Sequence, residues 1–149
     1  MMMDYIKYVS DGKWFTCDIP SYWTAFKEDE STALFYDDDD WKGNLRITPN
    51  KFPGANLEVQ INKIETHIND EFDHNNDAKK LLLGTKKAIH YLKYTGQDSD
   101  SVSIHWWLVR DVNILFLCSF AVDTSREKED EVMKEFEFAR QVLISLKAS

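Results

Sequence analysis

Glycine is scarce in this chain, and its glycines never cluster. The five positions are isolated from one another: Gly12, Gly43, Gly54, Gly84 and Gly96. A dinucleotide-binding fingerprint and a P-loop both need closely spaced glycines, because backbone N–H groups must approach the phosphates. The sequence therefore excludes these common nucleotide-binding loops. It also lacks the G-x-S-x-G nucleophile elbow and the signatures that flank known cysteine nucleophiles.

Cysteine is rare as well, and long apolar runs are missing. The two cysteines, Cys17 and Cys118, stand in apolar, strand-like surroundings, where cysteine behaves as a small hydrophobic residue. We expect two reduced, buried thiols; a disulfide between them is the alternative if the chain is exported.

The N-terminus lacks the charged start and apolar core of a signal peptide, and no apolar run approaches the roughly 20 residues of a membrane span. We therefore expect a cytoplasmic protein without membrane contact.

Basic residues are outnumbered by acidic ones. The chain has 18 Lys and Arg against 26 Asp and Glu, a formal net charge of −8 at pH 7. This excess repels phosphate backbones and anionic lipids and favours basic partners. We expect no nucleic-acid partner, and we expect that the protein needs neither a metal nor another cofactor.

Apolar and aromatic residues, in contrast, are plentiful. Hydrophobic side chains make up 43 % of the 149 residues, enough for the core of a single domain over residues 1–149. Two aromatic and β-branched runs within Ser101–Val122 flank the polar pair Arg110–Asp111, a pattern that predicts a β-hairpin. The segment Thr124–Glu127 matches a capping box and predicts the start of a helix that runs to the C-terminus.

Further segments alternate or cluster as strands do. The sequence predicts strands over Tyr5–Val9, Lys13–Ile19, Ala33–Tyr36, Asn44–Thr48 and Lys86–Tyr94. Residues 49–54 are predicted to be a connector, and residues 77–83 either a short helix or the lead-in to the next strand. Both faces of the predicted strand over residues 102–109 are apolar, which is typical of a central strand covered on both sides.

Two helical stripes provide those covers. Asn56 is a plausible N-cap for the first helix, and in both helices apolar residues recur three or four positions apart. The first stripe comprises Leu57, Ile61, Ile64, Ile68 and Phe72, and the second Val132, Phe136, Ala139, Leu143 and Leu146. The order of strands, helix, strands and helix predicts an α+β fold, in which helices pack on the faces of an antiparallel sheet.

This order, together with particular residues, resembles the PsbP-like superfamily. The resembling pieces are Lys13–Trp23, an amphipathic strand that ends in proline and an aromatic, the paired strands Leu34–Asp37 and Gly43–Ile47, and the final hairpin with its helix. The resemblance covers nearly the whole chain and implies the α+β fold of that superfamily. Its members are mostly non-enzymatic binding or assembly proteins, and the most similar are uncharacterised bacterial single-domain proteins. The resemblance implies a binding module and no catalytic residues.

The run Asp37–Asp40 is the most conspicuous polar feature. Adjacent carboxylates can bind Ca²⁺, but an EF-hand that starts at Asp38 fails, because its fifth position is Lys42 and its twelfth is Pro49. Charge runs usually form solvated loops. Trp41, directly after the run, adds a third interpretation, in which an aromatic anchor rimmed by acids binds a basic protein partner.

Histidines provide weaker candidates. His67, Glu71 and His74 follow one side of the first helix, but the two histidines are two turns, roughly 10 Å, apart and cannot both bind one ion. We therefore expect a solvent-facing flank rather than a metal site. His90 and His105 lie on neighbouring predicted strands and could pair across them, and a core position is more common for such residues than a catalytic one.

We predict a non-enzymatic, protein-binding module. The partner-binding candidates are Asp37, Asp38, Asp39, Asp40 and Trp41, with Trp23 as a second surface. One specific version is an immunity or antitoxin-type protein whose acidity complements a basic toxin. The alternative is a small-molecule binding protein or an enzyme that uses a cleft near His90, His105 and Trp107.

Overall fold

The computed structural model describes residues 3–97 and 100–149, which form ten strands and two helices together with short turns. In chain order the elements are β1 (Tyr5–Val9), β2 (Phe15–Pro20), β3 (Thr24–Lys27), β4 (Ala33–Tyr36), β5 (Asn44–Lys51), α1 (Leu57–His74), β6 (Lys79–Leu83), β7 (Lys86–Thr95), β8 (Val102–Asp111), β9 (Ile114–Asp123), α2 (Asp130–Ser145) and β10 (Lys147–Ala148). Neither helix of this part of the chain is long and apolar enough to cross a membrane.

The strands form two antiparallel sheets. The main sheet has the order β3-β4-β5-β9-β8-β7-β6, and the small sheet the order β1-β2-β10. Each strand of the main sheet pairs with its neighbour in the antiparallel sense. The predicted α+β fold with helices on an antiparallel sheet is therefore confirmed.

One face of the main sheet is covered by α2 and the small sheet together. Phe15 of β2, Phe116 of β9 and Leu143 of α2 are fully buried in this larger core. Cys17 and Cys118 lie in the same core as free thiols, and burial raises the pKa of Cys17 to about 12. A thiol with such a pKa stays protonated at neutral pH, so both cysteines act as small apolar residues.

The other face is covered in part by α1. Asn56 caps this helix as predicted, since its Oδ1 accepts a hydrogen bond from the Val59 N–H at 3.0 Å. Ile64 and Ile68 are the buried members of the predicted stripe. They pack on a smaller core that includes Ile89, Tyr91, Leu108 and Leu115 of the sheet.

One predicted turn and one predicted helix start lie at other residues in the structure. The β8–β9 turn is made by residues 112–113 rather than by Arg110–Asp111, and Val112 has a positive φ of 52°. The Thr124–Glu127 segment is not a capping box, because α2 begins only at Asp130. Thr124 and Glu127 instead bind Ser103: their Oγ1 and Oε2 atoms lie 2.9 and 2.7 Å from its Oγ.

Two strands differ from the prediction, and the structure decides between a helix and a strand for residues 77–83. The strand β3 was not predicted, and β5 continues through Pro49 to Lys51 where a connector was expected. Because β4 pairs with β5 only as far as Ile47, the last residues of β5 form an edge that tolerates proline. Residues 79–83 form a strand, β6, that pairs with β7.

Candidate functional site

The loop between β4 and β5 carries the aspartate run, and hydrogen bonds hold its shape. Asp37 is only 7 % exposed, and its Oδ1 accepts from the backbone N–H groups of Asp39 (3.1 Å) and Asp40 (3.3 Å). Its Oδ2 lies 2.6 Å from Lys42 Nζ. Burial raises the pKa of Asp37, but the hydrogen bonds from Lys42 and the two N–H groups outweigh burial and leave that pKa below its ordinary value. Asp37 is therefore ionised at neutral pH, and its hydrogen bonds stabilise the conformation of the loop.

Trp41 and Gly43 complete this loop. Trp41 is half-buried, and its Nε1 donates to Asn44 Oδ1 at 2.7 Å. The Trp41 carbonyl accepts a hydrogen bond of 2.6 Å from Arg126 Nη1. Gly43 has a φ of 126°, and a Cβ at this position would collide with the Phe120 ring, so only glycine fits. The loop consequently presents the exposed side chains of Asp38–Asp40 from a fixed backbone.

Two of the predicted partner-binding residues are not accessible. Trp23 is 6 % exposed, and its ring stacks on Phe35 with 6.5 Å between the ring centroids. Asp37 is committed to Lys42 and to the loop backbone. The expectation that Trp23 and Asp37 face solvent is wrong. Trp23 packs in the main core, and Asp37 accepts hydrogen bonds from Lys42 and from the backbone of its own loop.

A buried acid of α2 lies next to the loop, and no pattern in the sequence predicts it. Glu135 is 1 % exposed, and its Oε1 accepts a hydrogen bond from the Tyr22 hydroxyl. Burial raises the pKa of Glu135. Burial and the hydrogen bond to Glu135 raise the pKa of Tyr22. Lys42 Nζ lies 5.6 Å from the centroid of the Tyr22 ring. The acidic loop is thus linked through Lys42 and Tyr22 to α2.

The expected pairing of His90 with His105 is present, and aromatic rings pack against it. His90 Nε2 lies 2.9 Å from His105 Nδ1, and the two rings are stacked. Phe136 of α2 lies 4.3 Å from His105 and 5.6 Å from Trp107, measured between ring centroids. Trp107 is 1 % exposed and cannot line an open cleft, so the expectation that this residue contributes to a small-molecule site with His90 and His105 is wrong. Burial, with a smaller effect of His90, lowers the pKa of His105 to about 4.

The three polar residues on α1 do not converge on one point. His74 Nδ1 lies 2.6 Å from the Asp70 carbonyl oxygen, whereas the His67 ring packs 5.6 Å from the Phe52 ring, between centroids. Within residues 3–97 and 100–149, no group of three or more His, Cys, Asp or Glu side chains is placed to hold a metal ion.

The register of the main sheet leaves a surface beside α1 partly exposed. Antiparallel partners share a face of the sheet, so the paired residues form rows across the strands. The first row runs through Phe26, Leu34, Arg46, Ser119, Trp106 and Tyr91, and the second through Asn44, Ala121, Ile104 and Lys93. Ser119 and Tyr91 are buried, and we name the remaining residues of the two rows the open face. Their pairing joins strands that are far apart in the sequence, and sequence periodicity carries no signal for it.

Trp106 stands near the middle of the open face. Two shallow depressions flank its partly exposed ring, one of about 370 Å³ that reaches Glu71 of α1 and one of about 160 Å³ that reaches Arg46 and Ala121. The acidic loop meets the open face at Asn44, the first residue of β5. A central aromatic with a charged rim is the arrangement typical of protein–protein interfaces.

The architecture is that of the PsbP-like proteins, an antiparallel sheet with a helix on each face. The chain belongs to the family described as "Domain of unknown function (DUF3805)", whose model matches residues 3–148. A comparison with curated proteins gives no match.

Several solved structures are similar to this chain. A crystal structure from Bacteroides thetaiotaomicron VPI-5482 is 28 % identical, with a TM-score of 0.75; the match covers 99 % of this chain but only 49 % of that one, so this chain spans about half of its length. The Saccharomyces cerevisiae Ran-binding protein Mog1p is 10 % identical over 99 % of this chain and 96 % of its own, with a TM-score of 0.58. PsbP (CyanoP) from Synechocystis sp. PCC 6803 is 13 % identical over 100 % and 95 %, with a TM-score of 0.57. The last two likenesses show the fold alone.

Proposed function

We propose that this chain is a non-enzymatic protein-binding module, and that its open face, with Asp38–Asp40 at the rim, binds a partner with a basic surface. The observation that carries this proposal is the open face itself. An antiparallel sheet usually buries its apolar face against another layer, yet Leu34, Ile104 and Trp106 are only partly covered. Ile104, Trp106 and Ala121 adjoin one another on strands β8 and β9, and an apolar patch with a polar rim is a typical interaction site.

Charge supports a basic partner. The chain carries a net charge of −8, and the acidic loop presents three exposed carboxylates from a fixed backbone that leads into Asn44, where the second row of the open face begins. Complementary charge accelerates association and suppresses wrong partners, whereas buried apolar contacts chiefly determine how long a complex lasts. An immunity-type protein that neutralises a basic toxin is one form of this proposal, and that form rests on charge and size alone.

Fold analogy points to the same class of function without naming a partner. Mog1p, which has this fold, is a Ran-binding protein. One fold serves many functions, so the analogy supports protein binding as a class and nothing about Ran.

Binding kinetics test the role of the acidic loop. The tagged chain is used to capture its partner from an extract of its own cells, and rate constants are then measured with the purified partner. Changing Asp38, Asp39 and Asp40 to asparagine should slow association about tenfold at low salt and leave dissociation unchanged. The matched control makes the same charge change on exposed residues of α1, Glu58→Gln, Asp70→Asn and Asp73→Asn. Equal slowing by both triple variants would contradict the proposed rim.

A second pair of variants tests the open face. Leu34→Asp puts a charge beside the exposed Phe26 on the open face and should speed dissociation at least about tenfold. Met133→Asp, at an exposed position of α2 on the opposite side of the sheet, should leave both rate constants unchanged. Wild-type kinetics for a folded Leu34→Asp variant would overturn the proposal.

A further inference from the structure

A separate concave site lies between α1 and the β6–β7 hairpin. Its volume is about 490 Å³, which falls in the range of roughly 300–1,000 Å³ of small-molecule sites. It shares no lining residue with the open face. The proposed protein-binding function therefore leaves this cleft unexplained.

The bottom of the cleft is apolar. Ile68 of α1 and Ile89 of β7 are buried beneath it. Leu82 of β6 stands at its edge and is 63 % exposed, more than any other large apolar side chain in the described part of the protein. A ligand with an apolar body would remove Leu82 from water, which is favourable by the hydrophobic effect.

The rim of the cleft is basic, although the chain as a whole is acidic. Lys80, Lys87 and Arg110 face a single carboxylate, Glu65. Arg110 is held in place, since its Nε lies 3.0 Å from Glu65 Oε1 and its Nη1 donates to the Val112 carbonyl at 2.8 Å. The two lysines form no ion pair with a carboxylate of the described residues. Lys80 Nζ lies 4.8 Å from the centroid of the Phe72 ring, a contact that supplies no counter-ion, so both ammonium groups are available to an anionic ligand.

We infer that this cleft binds a small amphipathic acid, a molecule with one anionic group on an apolar body. The apolar body lies on Ile68, Ile89 and Leu82, and the anionic group lies between Lys80 and Lys87. A local concentration of cations on a protein with a net charge of −8 attracts anions to this place. The inference does not depend on the proposed partner binding.

Two dyes with the same aromatic skeleton test the inference. Anilinonaphthalene sulfonate carries a sulfonate, and N-phenyl-1-naphthylamine is its uncharged counterpart. Both should bind one site by fluorescence titration of the folded protein. The double variant Lys80→Gln/Lys87→Gln should weaken binding of the sulfonate about fivefold, the effect of two partly exposed ion pairs, and leave the uncharged dye unaffected. The control Lys7→Gln/Lys128→Gln, at exposed positions outside the cleft, should change neither affinity.

A blocking variant locates the site. Asn69, exposed on α1, lines the cleft, so Asn69→Trp should abolish binding of both dyes, whereas Glu58→Trp, exposed on the first turn of the same helix, should not. Retained binding in Asn69→Trp would overturn the inference. So would a sulfonate affinity that falls equally in the two double-lysine variants.

Discussion

At the scale of single residues, helix α2 shields two ionisable side chains, Glu135 and His105, from water. Glu135 and Phe136 are neighbours on α2, and each contacts a polar residue from elsewhere in the chain: Glu135 accepts a hydrogen bond from Tyr22, and Phe136 packs on His105. Packing by α2 removes these groups from water. Burial disfavours the charged form of each, which raises the pKa of Glu135 and lowers that of His105.

The low pKa of His105 predicts a loss of stability in acid. His105 titrates at about 4 in the folded protein against 6.5 as its ordinary value, so between these pH values the unfolded chain binds more protons. The stability due to neutral His105 is complete above about pH 6.5 and is lost as the pH falls toward 4. Between pH 7 and 4.5, wild type should lose roughly 1–2 kcal/mol more of its free energy of unfolding than His105→Gln does. Urea denaturation at both pH values measures this difference.

The control for this prediction is His74→Gln, because His74 is exposed on α1 and lies outside the histidine pair. It should lose stability in acid as wild type does. Parallel losses in wild type and His105→Gln would show that burial of His105 does not govern the acid response.

At the scale of elements, the segment between β9 and α2 is tied to β8 and does not cap the helix. The buried Ser103 hydroxyl donates to Glu127 Oε2 at 2.7 Å. Glu127→Ala should therefore lower the free energy of unfolding by about 1–2 kcal/mol, because Ser103 loses a charged acceptor. Chemical denaturation at neutral pH measures the change.

A double-mutant cycle with Ser103→Ala separates this tether from a helix cap. The two substitutions should be clearly non-additive, since they remove the same hydrogen bond. Glu131→Ala, in the exposed first turn of α2, should cost about 0.5 kcal/mol or less. Additive effects of Ser103→Ala and Glu127→Ala would favour a capping role instead.

At the scale of the whole molecule, stability should be highest in the middle of the main sheet. The strands β8 and β9 are central and carry buried residues on both faces, whereas β3 is an edge strand and β10 has two residues. Amides of β8 and β9 should exchange with solvent only through global unfolding, and those of β3 at least about a hundredfold faster through local opening. Hydrogen exchange followed by NMR resolves the two groups. Equal protection of β3 and β9 would show that the main sheet opens as one unit.

Elements whose signals are local could be predicted from the sequence. The N-cap Asn56 and the stripe of α1 are set by residues within a few turns of each other; the structure has the cap and buries Ile64 and Ile68 of the stripe, whereas Leu57 is exposed. Ala33–Tyr36 is a short apolar and aromatic run, Asn44–Thr48 alternates polar and apolar residues, and both are present in the paired strands β4 and β5. Where a signal depended on a distant partner, prediction failed: Thr124–Glu127 has the pattern of a cap, but Ser103 provides its contacts.

The sequence by itself determined the α+β class, most of the elements and the acidic loop, because period, turn chemistry and charge act between close neighbours in the chain. Only the tertiary structure decided what those residues face. Burial of Trp23, Asp37 and Glu135 depends on layers that pack from remote segments. The open face and the basic cleft depend on strand register and on where α1 lies across the sheet. Both surfaces are made of residues brought together from distant positions, so no local pattern in the chain records them.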